Sequence, residues 1–86
     1  MDCANHPESK TDILGRTDRW GSDYASFELS EPRAHWCANS CAQDVNCRAY
    51  AYVLPGVQGP NAVCWLKDAV PAAVSNPDVI SGRVFR

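Results

Sequence analysis

The sequence predicts a small α+β domain held together by disulfide bonds, and three observations lead to this fold class. First, the chain has 86 residues, enough for one domain that buries only about 60% of the surface its unfolded chain exposes. Second, helix signals cluster in the middle of the chain, and segments with strand periodicity follow them. Third, three of the five cysteines lie between Cys37 and Cys47. Disulfides commonly supply the stability that so small a core lacks.

The N-terminal part of the chain is predicted to hold a polar arm and short strands. Residues 1–11 are polar and have little to bury, so we assign them to an arm and assign residues 12–86 to a single domain. Gly15 and Gly21 divide the next segment as expected for strands joined by turns. In SDYASFEL the apolar residues do not alternate cleanly, which predicts a strand with a local irregularity.

The helix has the clearest signals. Ser30 suits an N-cap, a glutamate and a proline follow it, and no glycine interrupts the chain up to about Asp44. Within this segment Cys37 and Cys41 are four residues apart, so their thiols share one face of the helix. We expect that face to point into the core.

The second half of the chain is predicted to form a hairpin and a closing strand. Tyr50 and Tyr52 alternate with small apolar residues, which predicts a strand over residues 48–54 in which both tyrosines serve in packing. Residues 55–61 include two prolines and two glycines and are predicted to be a loop. AVPAAVSNPD is predicted to be irregular because proline cannot donate to a sheet ladder. The remaining strands are AVCWLKD and VISGRVFR.

Zinc binding and catalysis are two interpretations of the cysteines, and their spacing disfavours both. A zinc site needs four ligands, which the sulfurs of Cys37, Cys41, Cys47 and Cys64 could supply, with His6 and His35 as possible additions. Structural zinc sites usually use C-x2-C pairs, which this chain lacks. A nucleophilic centre would need His35 to activate Cys37, but residues two apart on a helix point away from each other. We therefore predict no metal, no cofactor and no enzymatic activity.

Disulfides explain the cysteine pattern with the fewest assumptions. Cys37 and Cys41 face the same way from one helix, so they bond more readily to other elements than to each other. Four cysteines allow three pairings, and this geometry favours Cys41 with Cys47 and Cys37 with Cys64. The first bond would connect the end of the helix to the next strand. The second would connect the helix to the hairpin.

Charge and hydropathy disfavour two classes of partner. The formal net charge is -2, with 8 basic and 10 acidic residues, so the chain lacks the basic footprint of a nucleic-acid-binding protein. No apolar run approaches the roughly 20 residues that span a bilayer, and we expect no signal peptide within the chain. Basic side chains would bind an anionic glycan if the fold gathered them, but we expect solvated surface charges: Arg16, Arg19, Arg33, Arg48, Lys67 and Arg83.

Four motifs carry a family resemblance: CANSCAQDVNCRAYAYV, CWLKDAVP after a Gly/Pro loop, SGRV near the end and DRWGSDYASFEL upstream. They resemble the PAN/apple domain family, in particular its bacterial branch. The resemblance covers roughly residues 16–84. It implies a five-stranded antiparallel sheet packed around one helix, with disulfides tying the helix to the central hairpin. It also implies a non-catalytic extracellular module that binds proteins or carbohydrates and, in bacteria, is attached to a larger exported protein.

Cys3 departs from the family pattern. Many relatives close their termini with another disulfide, but no cysteine follows Cys64 in this chain. We expect Cys3 to be a free thiol, while pairing with another chain and lipidation stay open.

No ligand-binding residue transfers from the family by motif, so the candidates come from residue type and position. Trp20 lies in a polar segment rich in turns, and Trp36 is next to a cysteine that faces the core, so both are candidates for ligand contact. The 55–61 loop supplies the others, which are Pro55, Gly56, Gln58 and Asn61. One of Trp65 and Leu66 is expected in the core, because neighbouring side chains of a strand alternate.

These features predict a secreted or periplasmic module that binds a protein or a glycan. Two alternatives stay open. A small cysteine-rich inhibitor or effector would act through the 55–61 loop. A zinc-stabilised intracellular domain would need reduced cysteines.

Overall fold

The structure is a computed structural model, and it describes residues 10–85. Its elements in chain order are β1 (Lys10–Thr11), β2 (Thr17–Asp18), β3 (Asp23–Leu29), α1 (Ala34–Gln43), β4 (Ala49–Val53), β5 (Ala62–Lys67), β6 (Val74–Ser75) and β7 (Val79–Phe85). The helix packs against a five-stranded antiparallel sheet in the order β1-β7-β4-β5-β3, and β2 pairs with β6 in a small second sheet. This architecture confirms the predicted α+β fold.

The central strand β4 divides the domain into two sides, because its side chains alternate across the sheet. Tyr50 and Tyr52 point to the side where the helix packs, which we call the helix face, and join the main core. Ala51 and Val53 point to the other side, which we call the opposite face, and form a smaller cluster with Val79. All five residues of β4 are buried, as expected for a strand covered on both sides.

The helix begins later than the sequence analysis predicted. Its N-cap is Arg33, whose side chain makes no capping hydrogen bond, and the predicted N-cap Ser30 lies outside the helix. Pro32 explains the difference, since proline disfavours a helical backbone in the residue before it. The C-cap is Asp44, where the sequence signals ended.

Two disulfides lie on the helix face. Cys37 of α1 bonds to Cys64 of β5, with Cα atoms 5.4 Å apart and a sequence separation of 27. Cys41 bonds to Cys47, with Cα atoms 5.1 Å apart and a sequence separation of 6. All four cysteines are fully buried. This is the pairing that helix geometry favoured and with which the family resemblance agreed.

A close contact at β7 joins the N-terminal segment to the helix face. Residues 10–14 run antiparallel along β7, and the Tyr50 hydroxyl donates to the carbonyl oxygen of Asp12 at 2.8 Å. A Cβ on Gly82 would overlap that oxygen and approach the tyrosine hydroxyl, so only glycine fits at this position. Burial, reinforced by the nearby Asp12 carboxylate, raises the pKa of Tyr50 to about 12.

The predicted N-terminal arm lies mostly outside the described residues. Lys10 and Thr11, which we assigned to its end, pair with Phe85 and Val84 at the edge of the sheet. Cys3 is not among the described residues, and its free thiol stays a prediction. The boundary between arm and domain stays a prediction as well.

The opposite face is bordered by the β2/β6 sheet, which the sequence analysis did not predict. Its pairs are Thr17 with Ser75 and Asp18 with Val74. The prolines of AVPAAVSNPD predict an irregular segment, and a strand of two residues is too short for a period of two to indicate otherwise. Arg19 follows β2, is only 8% exposed, and donates from Nη1 to the carbonyl oxygen of Pro71 at 2.9 Å.

Candidate ligand-binding cleft

A cleft of about 230 Å³ opens on the opposite face of the sheet. Ala51 and Val53 of the central strand line it from the sheet side, and both are buried. The turn between β2 and β3 contributes one wall, and β5 with the 55–61 loop contributes another. The cleft therefore combines a rigid apolar base with walls that come from different parts of the chain.

Trp20 is the most exposed large apolar side chain among the described residues. It is 82% exposed and lines the cleft from the β2–β3 turn. The residues after it turn the chain sharply, because Gly21 has φ 101° and Ser22 has φ 63°, both in the left-handed region. This turn directs the chain back into β3 and holds the indole at the edge of the cleft.

Trp65 lies on the cleft wall formed by β5 and the 55–61 loop, and it is half-buried. Its indole Nε1–H donates to Oε1 of Gln58 at 2.9 Å, so the 55–61 loop fixes the orientation of the ring. The same bond orients the Gln58 amide beside the cleft. Leu66, its neighbour in β5, points to the helix face and joins the core, as the alternation of side chains predicted.

Lys67 and Asp23 supply a buried ion pair in the cleft. They are register partners on the neighbouring strands β5 and β3, and the Lys67 ammonium contacts Oδ1 of Asp23. Lys67 Nζ also donates to the carbonyl oxygen of Gly21 at 3.1 Å. The side chain of Lys67 is only 3% exposed, whereas that of Asp23 is 35% exposed. A buried lysine is acceptable because a carboxylate and a carbonyl oxygen compensate its charge.

Asp18 is the second carboxylate of the cleft. It is half-buried, and its Oδ1 accepts a hydrogen bond from the backbone N–H of Arg19 at 2.7 Å. Among residues 10–85 no basic side chain forms an ion pair with it. Asp18 therefore brings a negative charge to the cleft that no neighbouring cation neutralises.

The sequence profile of one known family, the PAN domain, matches residues 17–67. The chain belongs to the PAN domain family. Searches among curated proteins and among solved structures returned no significant match. The matched range of the PAN domain contains the helix, both disulfides and every residue that lines the cleft. PAN domains are in general non-catalytic modules that bind proteins or carbohydrates.

The structure brings together two of the residues predicted to contact a ligand. Trp20 and Gln58 line the same cleft of the PAN domain. Trp36 lies on the helix, 37% exposed, with its ring edge-on to that of His35 at a centroid distance of 6.3 Å. It therefore belongs to a different surface. Asn61 donates from Nδ2 to Oε1 of Glu28 at 3.1 Å.

Two other loop residues lie outside the cleft lining. Pro55 and Gly56 are exposed, and the N–H of Gly56 donates to the carbonyl oxygen of Gly59 at 2.8 Å, which closes the turn of the 55–61 loop. Their predicted role in binding is not tested by this arrangement.

Sequence reasoning identified one of the four polar side chains in the cleft, Gln58, and missed Asp18, Asp23 and Lys67. Lys67, and Arg19 beside the cleft, were expected to be solvated surface charges, but both are buried. The prediction was wrong because neither the β3–β5 register nor the cover over Arg19 is visible in local periodicity.

Neither a metal-binding cluster nor a membrane-spanning helix is found within residues 10–85. No group of three or more His, Cys, Asp or Glu side chains is arranged there to hold a metal ion. No helix in this part of the chain is long and apolar enough to cross a membrane. A second hollow beside the end of the helix is lined by exposed residues, among them Tyr24, Val45 and Arg48.

Proposed function

We propose that this PAN domain is a non-catalytic binding module of a larger exported protein, and that it recognises a protein or a glycan through the cleft between Trp20 and Trp65. The observation that carries the proposal is the 82% exposed indole of Trp20 at the edge of a cleft whose base is rigid. Exposed tryptophan lowers solubility and is enriched at the energetic centres of binding surfaces, so an indole this exposed at a cleft favours recognition.

The disulfides support a secreted or periplasmic location. Four of the five cysteines are bonded in two disulfides, and such bonds persist in oxidising compartments and are rare in the reducing cytosol. The same bonds disfavour a cysteine nucleophile among residues 10–85, since all four cysteines there are disulfide-bonded.

The arrangement of the walls supports recognition of a ligand by a preformed site. Trp65 is held by Gln58, and the buried ion pair of Lys67 and Asp23 holds β3 to β5 below Trp20. Side chains fixed in this way lose little conformational entropy on binding, which is the usual advantage of a preorganised site.

A matched pair of tryptophan variants tests the proposal. The wild-type domain would be screened on a printed glycan array and against a phage-displayed peptide library, and the ligands selected would be measured again with Trp20→Ala and Trp36→Ala. We expect Trp20→Ala to weaken binding at least tenfold, equivalent to about 1.4 kcal/mol. Trp36→Ala should bind like the wild type. Loss of binding in Trp36→Ala with retention in Trp20→Ala would move the site to the helix and contradict the proposal.

A second candidate is an inhibitor that acts through the 55–61 loop. Val57 at the tip of this loop is 49% exposed, and the Gly56–Gly59 hydrogen bond holds the tip in a defined turn. Inhibitors present such loops to the active site of a protease. Val57→Asp would then abolish binding while Trp20→Ala would leave it unchanged, whereas the cleft proposal predicts the larger effect for Trp20→Ala.

A further inference from the structure

The residues that line the cleft have a net negative charge. Lys67 is the one basic residue among them, and Asp23 compensates its charge through the ion pair described above. The carboxylate of Asp18 is left over. Arg19 is close in sequence but does not line the cleft, because its guanidinium donates to the carbonyl oxygen of Pro71. A ligand that enters the cleft therefore meets one carboxylate whose charge is not balanced.

Two indole rings line the same cleft as this carboxylate. The π-face of tryptophan attracts cations more strongly than that of any other side chain, and the attraction grows when the cation is partly desolvated. Trp20 and Trp65 both line the cleft with Asp18. Aromatic rings combined with an unpaired carboxylate are suited to an ammonium or a guanidinium group.

The size of the cleft indicates how much of a ligand it holds. Its volume of about 230 Å³ is below the roughly 300 to 1,000 Å³ of pockets that enclose a whole small molecule. The cleft is therefore suited to one side chain or one ring of a larger ligand. The remainder of that ligand would lie on the surface around the cleft.

The surface beside the cleft is apolar, which favours a protein as the larger ligand. Val74, the register partner of Asp18, is 50% exposed, and Val57, next to Gln58, is 49% exposed. Each of these exposed valines is adjacent, by strand register or in sequence, to a residue that lines the acidic cleft. A basic side chain surrounded by apolar residues on a partner protein complements this pattern, because apolar area would be buried around a charge pair.

We infer that the cleft binds a lysine or arginine side chain presented by a partner protein, with the cation between the indoles of Trp20 and Trp65 and the carboxylate of Asp18. This inference rests on the proposed function, since it names the ligand of the same cleft. It adds the charge of the ligand, its source in a protein, and a binding role for Asp18.

The test uses the disulfide-bonded domain and a small probe. Nα-acetyl-lysine methylamide would be titrated into 15N-labelled protein, with Nα-acetyl-norleucine methylamide as the neutral analogue and glucosamine and methyl glucoside as glycan probes. The chain has three tryptophans, so three indole N–H signals report on binding, and that of Trp36 serves as an internal control. We expect the lysine probe to shift the signals of Trp20 and Trp65 with a dissociation constant on the order of millimolar, as suits a single side chain. The norleucine probe should shift neither.

Two variants separate charge from structure. Asp18→Asn keeps the side-chain oxygen that accepts the Arg19 N–H and removes only the charge, so the fold should persist while affinity for the lysine probe falls about tenfold. Glu31→Gln removes an exposed carboxylate before the helix, outside the cleft, and should leave the affinity unchanged. Raised ionic strength should weaken the lysine titration in the wild type.

Several results would overturn the inference. They are an absence of shifts with the lysine probe, equal binding of the norleucine probe, unchanged affinity in Asp18→Asn, and tighter binding of either sugar than of the lysine probe. Failure of the broader proposal is distinguishable from these. If methyl glucoside shifts the Trp20 signal and binds more tightly than the lysine probe, the cleft still binds a ligand and only the inference on a cationic side chain fails. If the partners selected on the arrays bind Trp20→Ala as well as wild type, the proposed site itself fails.

Discussion

The two faces of the central sheet are built on different principles. The helix face holds both disulfides and an apolar core around Tyr50 and Tyr52. The opposite face holds two of the three polar residues that are buried within residues 10–85, namely Lys67 and Ser81. The hydroxyl oxygen of Ser81 is also buried there without a hydrogen-bond partner.

This contrast teaches how so small a domain supports a polar cleft. Buried charges and unsatisfied polar atoms cost stability, and an 86-residue domain has little to spare. The covalent bonds of the helix face offset that cost by restricting the unfolded chain. Stability is therefore concentrated on one face, and the cleft occupies the other. The following predictions test this division, beginning with the largest effect.

The Cys37–Cys64 bond should contribute most to stability. In the loop-entropy model a disulfide with a sequence separation of 27 is worth about 3.5 kcal/mol, and one with a separation of 6 about 2 kcal/mol. The double variant Cys37→Ser/Cys64→Ser should therefore lose more free energy of unfolding than Cys41→Ser/Cys47→Ser, as measured by guanidinium denaturation followed by circular dichroism. An equal or larger loss in the second double variant would show that the Cys41–Cys47 bond contributes at least as much to the free energy of unfolding.

Gly82→Ala should destabilise the domain by about 3 kcal/mol, the upper part of the range for overpacked positions. The added methyl would overlap the carbonyl oxygen of Asp12 and press on the Tyr50 hydroxyl, and neither can move without breaking their hydrogen bond. Gly15→Ala is the matched control, since a Cβ there meets no atom within 4 Å. Thermal unfolding of the two variants should differ clearly. Equal melting temperatures would mean that the 10–14 segment shifts at little cost and is not fixed to the helix face.

Alkaline pH should weaken the helix face through Tyr50. Its pKa is about 12 in the folded protein and about 10 in the unfolded chain, so the folded state keeps a proton that the unfolded state has released. The free energy of unfolding should thus be constant below pH 10 and fall by about 2 to 3 kcal/mol as the pH rises toward 12. Burial also raises the pKa of Tyr52, which acts in the same direction.

The measurement is chemical denaturation at a series of pH values. Tyr50→Phe should be less stable than wild type at neutral pH by about 1 kcal/mol, because the Asp12 carbonyl oxygen loses its donor. It should also show a shallower fall above pH 10. A fall as steep as that of the wild type would assign the alkaline transition to other groups.

The sequence predicted the helix face far better than the opposite face, for a physical reason. Cys37 and Cys41 are close in sequence and share a helix face by the period of the helix alone, and Tyr50 and Tyr52 share a sheet face by the period of a strand. The predictions of the disulfide pairing and of the core rested on these local periods. Ser30 failed as the N-cap because the restriction imposed by a proline outweighed the cap propensity of the serine.

The cleft depends on contacts between residues far apart in the chain. Lys67 is buried because the β3–β5 register places Asp23 beside it, and Arg19 is buried because residues near Pro71 cover it. Trp20 was identified by its setting among turns, but its meeting with Gln58 and Trp65 required the tertiary fold. Residue type therefore identified single members of the site, and only the assembled sheet defined the site.

Ser81→Ala should stabilise the domain by about 1 kcal/mol, an effect as small as that of Tyr50→Phe and opposite in sign. Ser81 is fully buried on the opposite face beside Ala51, and its hydroxyl oxygen has no hydrogen-bond partner within the described structure. Alanine would remove the cost of burying that hydroxyl while its backbone bonds to Leu14 persist. Ser26→Ala, at an exposed position of β3 opposite Trp65, is the matched control and should change stability by less than about 0.5 kcal/mol. Destabilisation by Ser81→Ala would mean that the hydroxyl forms a hydrogen bond in solution. Burial of polar groups on the opposite face would then destabilise the domain less than the comparison of the two faces implies.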